Sequence, residues 1–171
     1  SINEFAEITS LNTKVTLTGN ATVSASLTLK INGETVKTTT GTQLTHDYTF
    51  TKQGNYNIEF TATSGSQTAK ATAFTCVPNA PTKANRPAGI VNGIYYDKIN
   101  PTKVTLCTYA GSKTEPAKHV FVVGDFNKWT ISNDYQLKQA NDSAYFWIEL
   151  TGLNPGQEYA MQYVVVRADG K

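Results

Sequence analysis

The sequence predicts an all-β protein built from two tandem β-sandwiches joined by a proline-containing linker. Short segments alternate between apolar and polar residues, turn residues recur about every ten positions, and no segment keeps a helical period over ten residues. Composition divides the chain, because residues 1–80 hold 19 of the 26 threonines but only 6 of the 18 aromatic residues. We therefore expect an immunoglobulin-like sandwich over residues 1–79, a linker over 80–87 and a second sandwich over 88–171.

The first half carries the signals of short strands separated by turns. Asn32-Gly33 lies between two alternating segments, which is the strongest short signal for a β-hairpin. The antibody pattern of Cys…Trp…Cys is absent, so only the architecture of an immunoglobulin-type sandwich is predicted. The strand candidates of this half are residues 13–18, 27–31, 34–37, 48–50, 56–60 and 68–76.

Residues 77–87 contain three prolines, which remove backbone donors and favour extended geometry. We expect this segment to act as a semi-rigid spacer. The second half is again β-rich but has larger side chains, and its strand candidates are residues 93–96, 103–109, 119–123, 145–150 and 159–166.

Within the segment 145–150, Phe146, Ile148 and Leu150 share one face, while Trp147 and Glu149 share the other. A glutamate is rarely buried unpaired, so the face with Trp147 is expected to be the outer, accessible one. Packing of Trp147 on the linker or on the other domain remains an alternative.

Residues 121–129 read as a buried strand, a Gly-Asp turn and an aromatic residue just beyond the turn. Trp129 is therefore expected at or near the surface, where the indole face could pack on the C–H groups of a sugar ring. The alternative is that Trp129 is partly buried and closes one end of a core.

Composition argues against several functions. The net charge is +2, with scattered basic residues and no Lys/Arg stripe for nucleic acid. There is no transmembrane-length apolar run and no visible signal peptide. Cys76 and Cys107 are expected to be free thiols rather than a disulfide, and they form no metal site because His46 and His119 stand alone. We expect no cofactor.

No catalytic constellation is visible in the sequence. A retaining glycosidase needs two carboxyl groups about 5 Å apart, but Asp125 is the only acid in the marked motif and a turn role explains it. No Gly-x-Ser-x-Gly elbow is present. The abrupt ends of the sequence lead us to expect a piece of a longer protein.

Four ordered motifs carry a resemblance to a known family: residues 104–110, the Gly-Asp-Phe-Asn-x-Trp of residues 124–129, residues 150–159, and Asp169-Gly170. Over residues 86–171 the chain resembles the N-terminal early-set domain of glycoside hydrolase family 13 enzymes, which is similar to carbohydrate-binding module family 48. The Arg-Pro-Ala-Gly of residues 86–89 further resembles α-amylase-type proteins of Bacteroidetes, in which an immunoglobulin-like domain commonly precedes this one.

The resemblance implies a non-catalytic N-terminal fragment that serves as a scaffold for a (β/α)8 catalytic barrel, which needs about 250 residues of its own. It also implies weak binding of α-glucans (starch, glycogen or maltooligosaccharide), and an extracellular, periplasmic or cell-surface location. Trp129 would be the platform, with Lys128, Asn127 and Tyr135 as polar or edge contacts. Glucan-binding members of the family have a second platform tryptophan, but no Trp follows Asp169-Gly170 here. Trp147 could take the place of that missing platform. A dedicated starch-binding module and an adhesin-like pair of sandwiches without a glucan role are the alternatives.

Overall fold

The computed structural model describes residues 1–141 and 143–170 and confirms the predicted all-β fold class. Within these residues there are ten strands and no α-helix, so no helix is long and apolar enough to cross a membrane. Contacts divide the chain into two units, Ser1–Pro78 and Asn79–Lys171. The strands are β1 (Lys14–Ile31), β2 (Glu34–Thr49), β3 (Gly54–Ser64), β4 (Gln67–Val77), β5 (Gly93–Tyr96), β6 (Val104–Tyr109), β7 (His119–Gly124), β8 (Lys138–Gln139), β9 (Tyr145–Leu150) and β10 (Met161–Val166).

The first unit is an antiparallel sheet with strand order β2-β1-β3-β4. The predicted hairpin at Asn32-Gly33 is confirmed: Ile31 pairs with Glu34, and both turn residues have positive φ, at 50° and 85°. A register shift between Asn20 and Ala25 divides β1 into two halves, and β3 pairs only with the second half.

Both halves of β1 contribute to one core. Leu17 from the first half belongs to the same buried cluster as Leu27 and Leu29 from the second half. Gly19 makes this close packing possible, because a Cβ atom at that position would overlap the ring of Phe60 on β3. The sheet therefore folds over on itself, which gives the two layers of a sandwich from continuous strands.

The N-terminal residues run along both layers of this unit. The Asn3 amide donates to the Thr18 carbonyl in the first half of β1 (2.9 Å), whereas the Thr9 amide donates to the Cys76 carbonyl in β4 (3.0 Å). The hydroxyl groups of Thr9 and Thr75 share a buried hydrogen bond of 2.8 Å. These contacts join the two layers at an edge where backbone groups would otherwise lack partners.

The second unit packs a two-stranded sheet, β10-β7, against a four-stranded sheet, β5-β6-β9-β8. Val120 and Val122 of β7 share one buried cluster with Leu106 of β6 and with Phe146 and Ile148 of β9. The sequence assigned Phe146, Ile148 and Leu150 to one face of their strand, and all three lie in this core.

Residues 82–86, which the sequence assigned to a spacer, lie along the edge of the second unit instead. The Ala84 amide donates to the Gln139 carbonyl (2.9 Å), and the Gln139 amide donates to the Thr82 carbonyl (2.9 Å). The Arg86 guanidinium lies 4.0 Å from the centroid of the Tyr145 ring and donates to the Ile90 carbonyl at 2.6 Å. The backbone groups on the outer edge of the short strand β8 form the hydrogen bonds that hold this segment in place. We call residues 82–86 the strap.

Cys76 and Cys107 are free and buried, as the sequence predicts. Burial raises the pKa of the Cys76 thiol to about 11. Burial also raises the pKa of Cys107, although the neighbouring Arg86 opposes this effect. Both side chains are therefore neutral at physiological pH and act as small apolar core residues.

Replacing Gly19 by alanine should destabilise the first unit by about 1–3 kcal/mol, because the added methyl group forces a buried ring out of its packed position. Urea unfolding measures this cost. In a Phe60→Leu background the ring is gone, so the cost of Gly19→Ala should fall by at least half. An equal cost in both backgrounds would contradict the packing described for Gly19.

Replacing Arg86 by alanine should destabilise the second unit by about 1–3 kcal/mol, because a ring contact and a charged hydrogen bond are lost together. Thermal and urea unfolding are the measurements. Lys83→Ala is the matched control, since Lys83 is an exposed cation of the same strap, and its effect should stay within about 0.5 kcal/mol. Equal effects for the two variants would argue against an anchoring role of Arg86.

Candidate functional site

The bend that follows β7 holds the exposed tryptophan. Gly124 ends the strand against β10, where a Cβ atom would overlap the carbonyl oxygen of Ala160. Residues Asp125–Asn127 then form one turn of 3-10 helix. The side chain of Asn127 closes this turn, because its Oδ1 accepts from the Gly124 amide (2.9 Å) and its Nδ2 donates to the Val122 carbonyl (3.0 Å). The Trp129 amide donates to the Gly124 carbonyl at 2.9 Å.

Two consecutive non-glycine residues of the bend adopt left-handed backbone conformations. The φ angles of Lys128 and Trp129 are 55° and 58°. This region is costly for residues with a Cβ atom and is unusual for a bulky side chain. Strained backbone of this kind concentrates at ligand sites, where surrounding contacts hold it in place. The left-handed backbone conformation of these two residues places Trp129 at the outer end of the bend.

The indole of Trp129 is both exposed and held in place. The side chain is 47% exposed. Its Nε1–H donates to Oδ1 of Asp125 at 3.0 Å, and Oδ2 of the same carboxylate accepts from the Ala160 amide at 2.8 Å. The Asp125 amide also donates to the Ala160 carbonyl (3.1 Å). Asp125 therefore links the indole to the backbone of Ala160, the residue just before β10.

The link through Asp125 was not predicted from the sequence, which gave this residue only a turn role. The spacing of an acid and a tryptophan four residues apart across a bend is a weak signal for such a contact. The second partner, Ala160, lies 35 residues further along the chain. Asp125 and Ala160 come together only because β7 pairs with β10.

The other residues predicted around Trp129 have different environments. Lys128 is exposed beside it. Asn127 is engaged in closing the turn, so its amide is not a free contact for a ligand. Tyr135 is half-buried with its ring centroid 5.6 Å from that of Phe126, and among the described residues no ring contact joins Tyr135 to Trp129. The bend therefore offers an indole face and one ammonium group.

Trp147 is not a surface residue, and the expectation of an accessible outer tryptophan is corrected by the structure. It is 8% exposed, and its Nε1–H donates to the carbonyl of Ala84 in the strap at 3.2 Å. The ammonium of Lys138 lies 4.6 Å from the ring centroid. The premise about Glu149 was sound, because it pairs with Lys103 at 2.7 Å on this face. The strap covers Trp147, which excludes it as a second sugar platform.

A second feature of this unit is an apolar groove at one open edge of the sandwich, with a volume of about 700 Å³. It runs between β5 and the start of β10 and is lined by residues of both strands. Ile94 and Tyr96 on β5 are 52% and 77% exposed. We call this feature the β5 groove; its lining includes Ile94, Tyr96, Leu106, Leu153, Tyr159 and Met161.

The titratable residues supply no metal centre in the described part of the chain. Across residues 1–141 and 143–170, no group of three or more His, Cys, Asp or Glu side chains is placed to hold a metal ion. The indole at the bend and the β5 groove are two features of the second unit that expose aromatic or apolar surface.

Comparisons with known proteins assign no family. No family model matches the sequence, and no curated protein matches it. A solved structure with some similarity is the crystal structure of Bacteroides uniformis beta-glucuronidase, at 8% identity and a TM-score of 0.33. The match covers 92% of this chain and 26% of that chain. This TM-score is too low to indicate a shared fold, so no function follows from it.

The two tryptophans should differ several-fold in their acrylamide quenching constants, because one is half-exposed and the other is covered by the strap. Single-tryptophan variants separate them: Trp147→Phe leaves only Trp129, and Trp129→Phe leaves only Trp147. The fluorescence of Trp129 should be quenched strongly and that of Trp147 weakly. Similar constants for the two would contradict the burial described here.

Proposed function

We propose that this chain is a non-catalytic accessory region of an α-glucan-degrading glycoside hydrolase, and that Trp129 forms a weak binding platform for starch, glycogen or maltooligosaccharide. The observation that carries the proposal is the indole at the bend: half-exposed, placed by strained backbone and fixed by Asp125. Sugar-binding surfaces need a flat aromatic face that is oriented before the ligand arrives, because ordering a side chain on binding reduces affinity.

The single platform limits the expected affinity. Stacking on one indole, with Lys128 as a solvent-exposed polar contact, should give about 4–6 kcal/mol of binding free energy. This corresponds to a dissociation constant between about one millimolar and about 40 micromolar. Because Trp147 is covered, the weaker end of this range is expected. Weak sites of this kind retain an enzyme on a polymer that offers many copies of the ligand.

A scaffold role is the second part of the proposal, and the β5 groove favours it. Exposed Ile94 and Tyr96 stand beside an apolar lining, and contiguous apolar surface of this kind is typical of contacts between proteins or domains. In the proposed enzyme, the second unit would support a (β/α)8 catalytic barrel that acts on α-1,4- or α-1,6-linked glucose. The family resemblance of the second half also suggests a location in the periplasm, at the cell surface or outside the cell, and we include it in the proposal.

The glucan-binding proposal is tested by affinity electrophoresis in gels that contain soluble starch, together with calorimetric titration with maltoheptaose. Starch should retard the unmodified chain, and Trp129→Ala should abolish the retardation because the proposed indole platform is removed. Tyr109→Ala is the matched control: Tyr109 is 45% exposed and lies on a different strand, β6, so its loss should leave the retardation unchanged. Unchanged mobility of the unmodified chain in starch would overturn the proposal.

A further inference from the structure

The carboxylate of Asp125 connects the exposed indole to the sheet behind it. Its Oδ1 accepts the indole Nε1–H at 3.0 Å, and its Oδ2 accepts the Ala160 amide at 2.8 Å. We infer that Asp125 is a positioning residue that fixes the orientation of the Trp129 platform. The consequence for glucan affinity rests on the proposed function, whereas the orientation of the indole is independent of it.

The turn itself does not use the Asp125 side chain. The bend is closed by Asn127, through the Gly124 amide and the Val122 carbonyl, and by the Trp129 amide, which donates to Gly124. An aspartate that only forms a turn accepts from a backbone amide two residues further on. The two oxygens of Asp125 instead accept from the side-chain N–H of Trp129 and from the amide of Ala160. The carboxylate therefore has a role separate from turn formation.

Charge strengthens this arrangement. Both donors face an ionised acceptor, and hydrogen bonds to a charged group are stronger than bonds between neutral groups. The second bond anchors the carboxylate to the ladder in which β7 pairs with β10, where Gly124 is the partner of Met161. An indole bonded to this anchored carboxylate shares the rigidity of the sheet although nearly half of its surface is exposed.

The same contact limits how Trp129 recognises a ligand. The indole Nε1–H is its only hydrogen-bond donor, and Asp125 occupies that donor. Trp129 is left with its apolar face for the ligand, so it selects for a flat C–H surface and not for a particular hydroxyl group. The ligand class that fits is a polymer or oligomer of pyranose units with one apolar face, and hydroxyl selectivity must come from neighbouring groups such as Lys128.

The orientation is tested by time-resolved fluorescence anisotropy in a Trp147→Phe background, in which Trp129 is the only tryptophan. Asp125→Ala should add a fast component from local rotation of the indole. Asp125→Asn keeps an oxygen for only one of the two donors and should give an intermediate result. Asp134→Ala, which removes another exposed acid of the same unit, should leave the decay unchanged. An identical decay in Asp125→Ala and its parent would overturn the inference.

Titration with maltoheptaose separates this inference from the proposed function. If the parent binds, Asp125→Ala should weaken binding about tenfold, because the ligand must then order a free indole. Equal affinities for parent and variant would overturn the positioning role in binding. A parent that binds no glucan would overturn the proposed function, while the anisotropy still decides the orientation. Should Asp125→Ala fail to fold by near-ultraviolet circular dichroism, Asp125→Asn gives the same comparison with a smaller expected change.

Discussion

The two hydrogen bonds of the Asp125 carboxylate are the interaction on which the candidate site depends. One bond fixes the indole of Trp129, and the other fixes the carboxylate to the backbone of Ala160. This geometry requires β7 and β10 to approach closely, which Gly124 allows because it has no Cβ atom to meet the Ala160 carbonyl. The buried valines of β7 hold that strand in the core. The exposed platform is thus a consequence of packing behind it.

The outer face of β9 shows why exposure of one residue does not establish exposure of its neighbour. Glu149 stays accessible and pairs with Lys103, while Trp147, two residues earlier on the same face, is covered by the strap. The covering backbone also satisfies the indole N–H of Trp147, as a buried tryptophan requires. The strap also pairs with the outer edge of β8, and Arg86 holds it in place by packing on the ring of Tyr145. The strap, which lies between Pro81 and Pro87, is therefore part of the second unit.

The fold class and several local elements could be predicted from the sequence because they depend on short-range patterns. Alternation identified the core face of β9, and the Asn-Gly pair identified the hairpin between β1 and β2. The great length of β1 and β2 was not predicted from the sequence. Threonine-rich segments continue the hydrogen bonding between these strands beyond the positions where apolar and polar residues alternate. The covering of Trp147 depends on Ala84, which lies 63 residues earlier in the sequence. The contact of Asp125 with Ala160 depends on strand pairing of the same long-range kind. Such contacts leave no local pattern, so the candidate residues could be predicted but their roles could not.

The central claim is that Trp129, and not Trp147, forms the sugar platform, and nuclear magnetic resonance tests it most directly. The chain has two tryptophans and therefore two indole N–H signals, which can be assigned by single substitution. On titration with maltoheptaose, the signal of Trp129 should shift in a saturable manner while that of Trp147 stays in place. A saturable shift confined to Trp147, or no shift of either signal at millimolar ligand, would contradict the account.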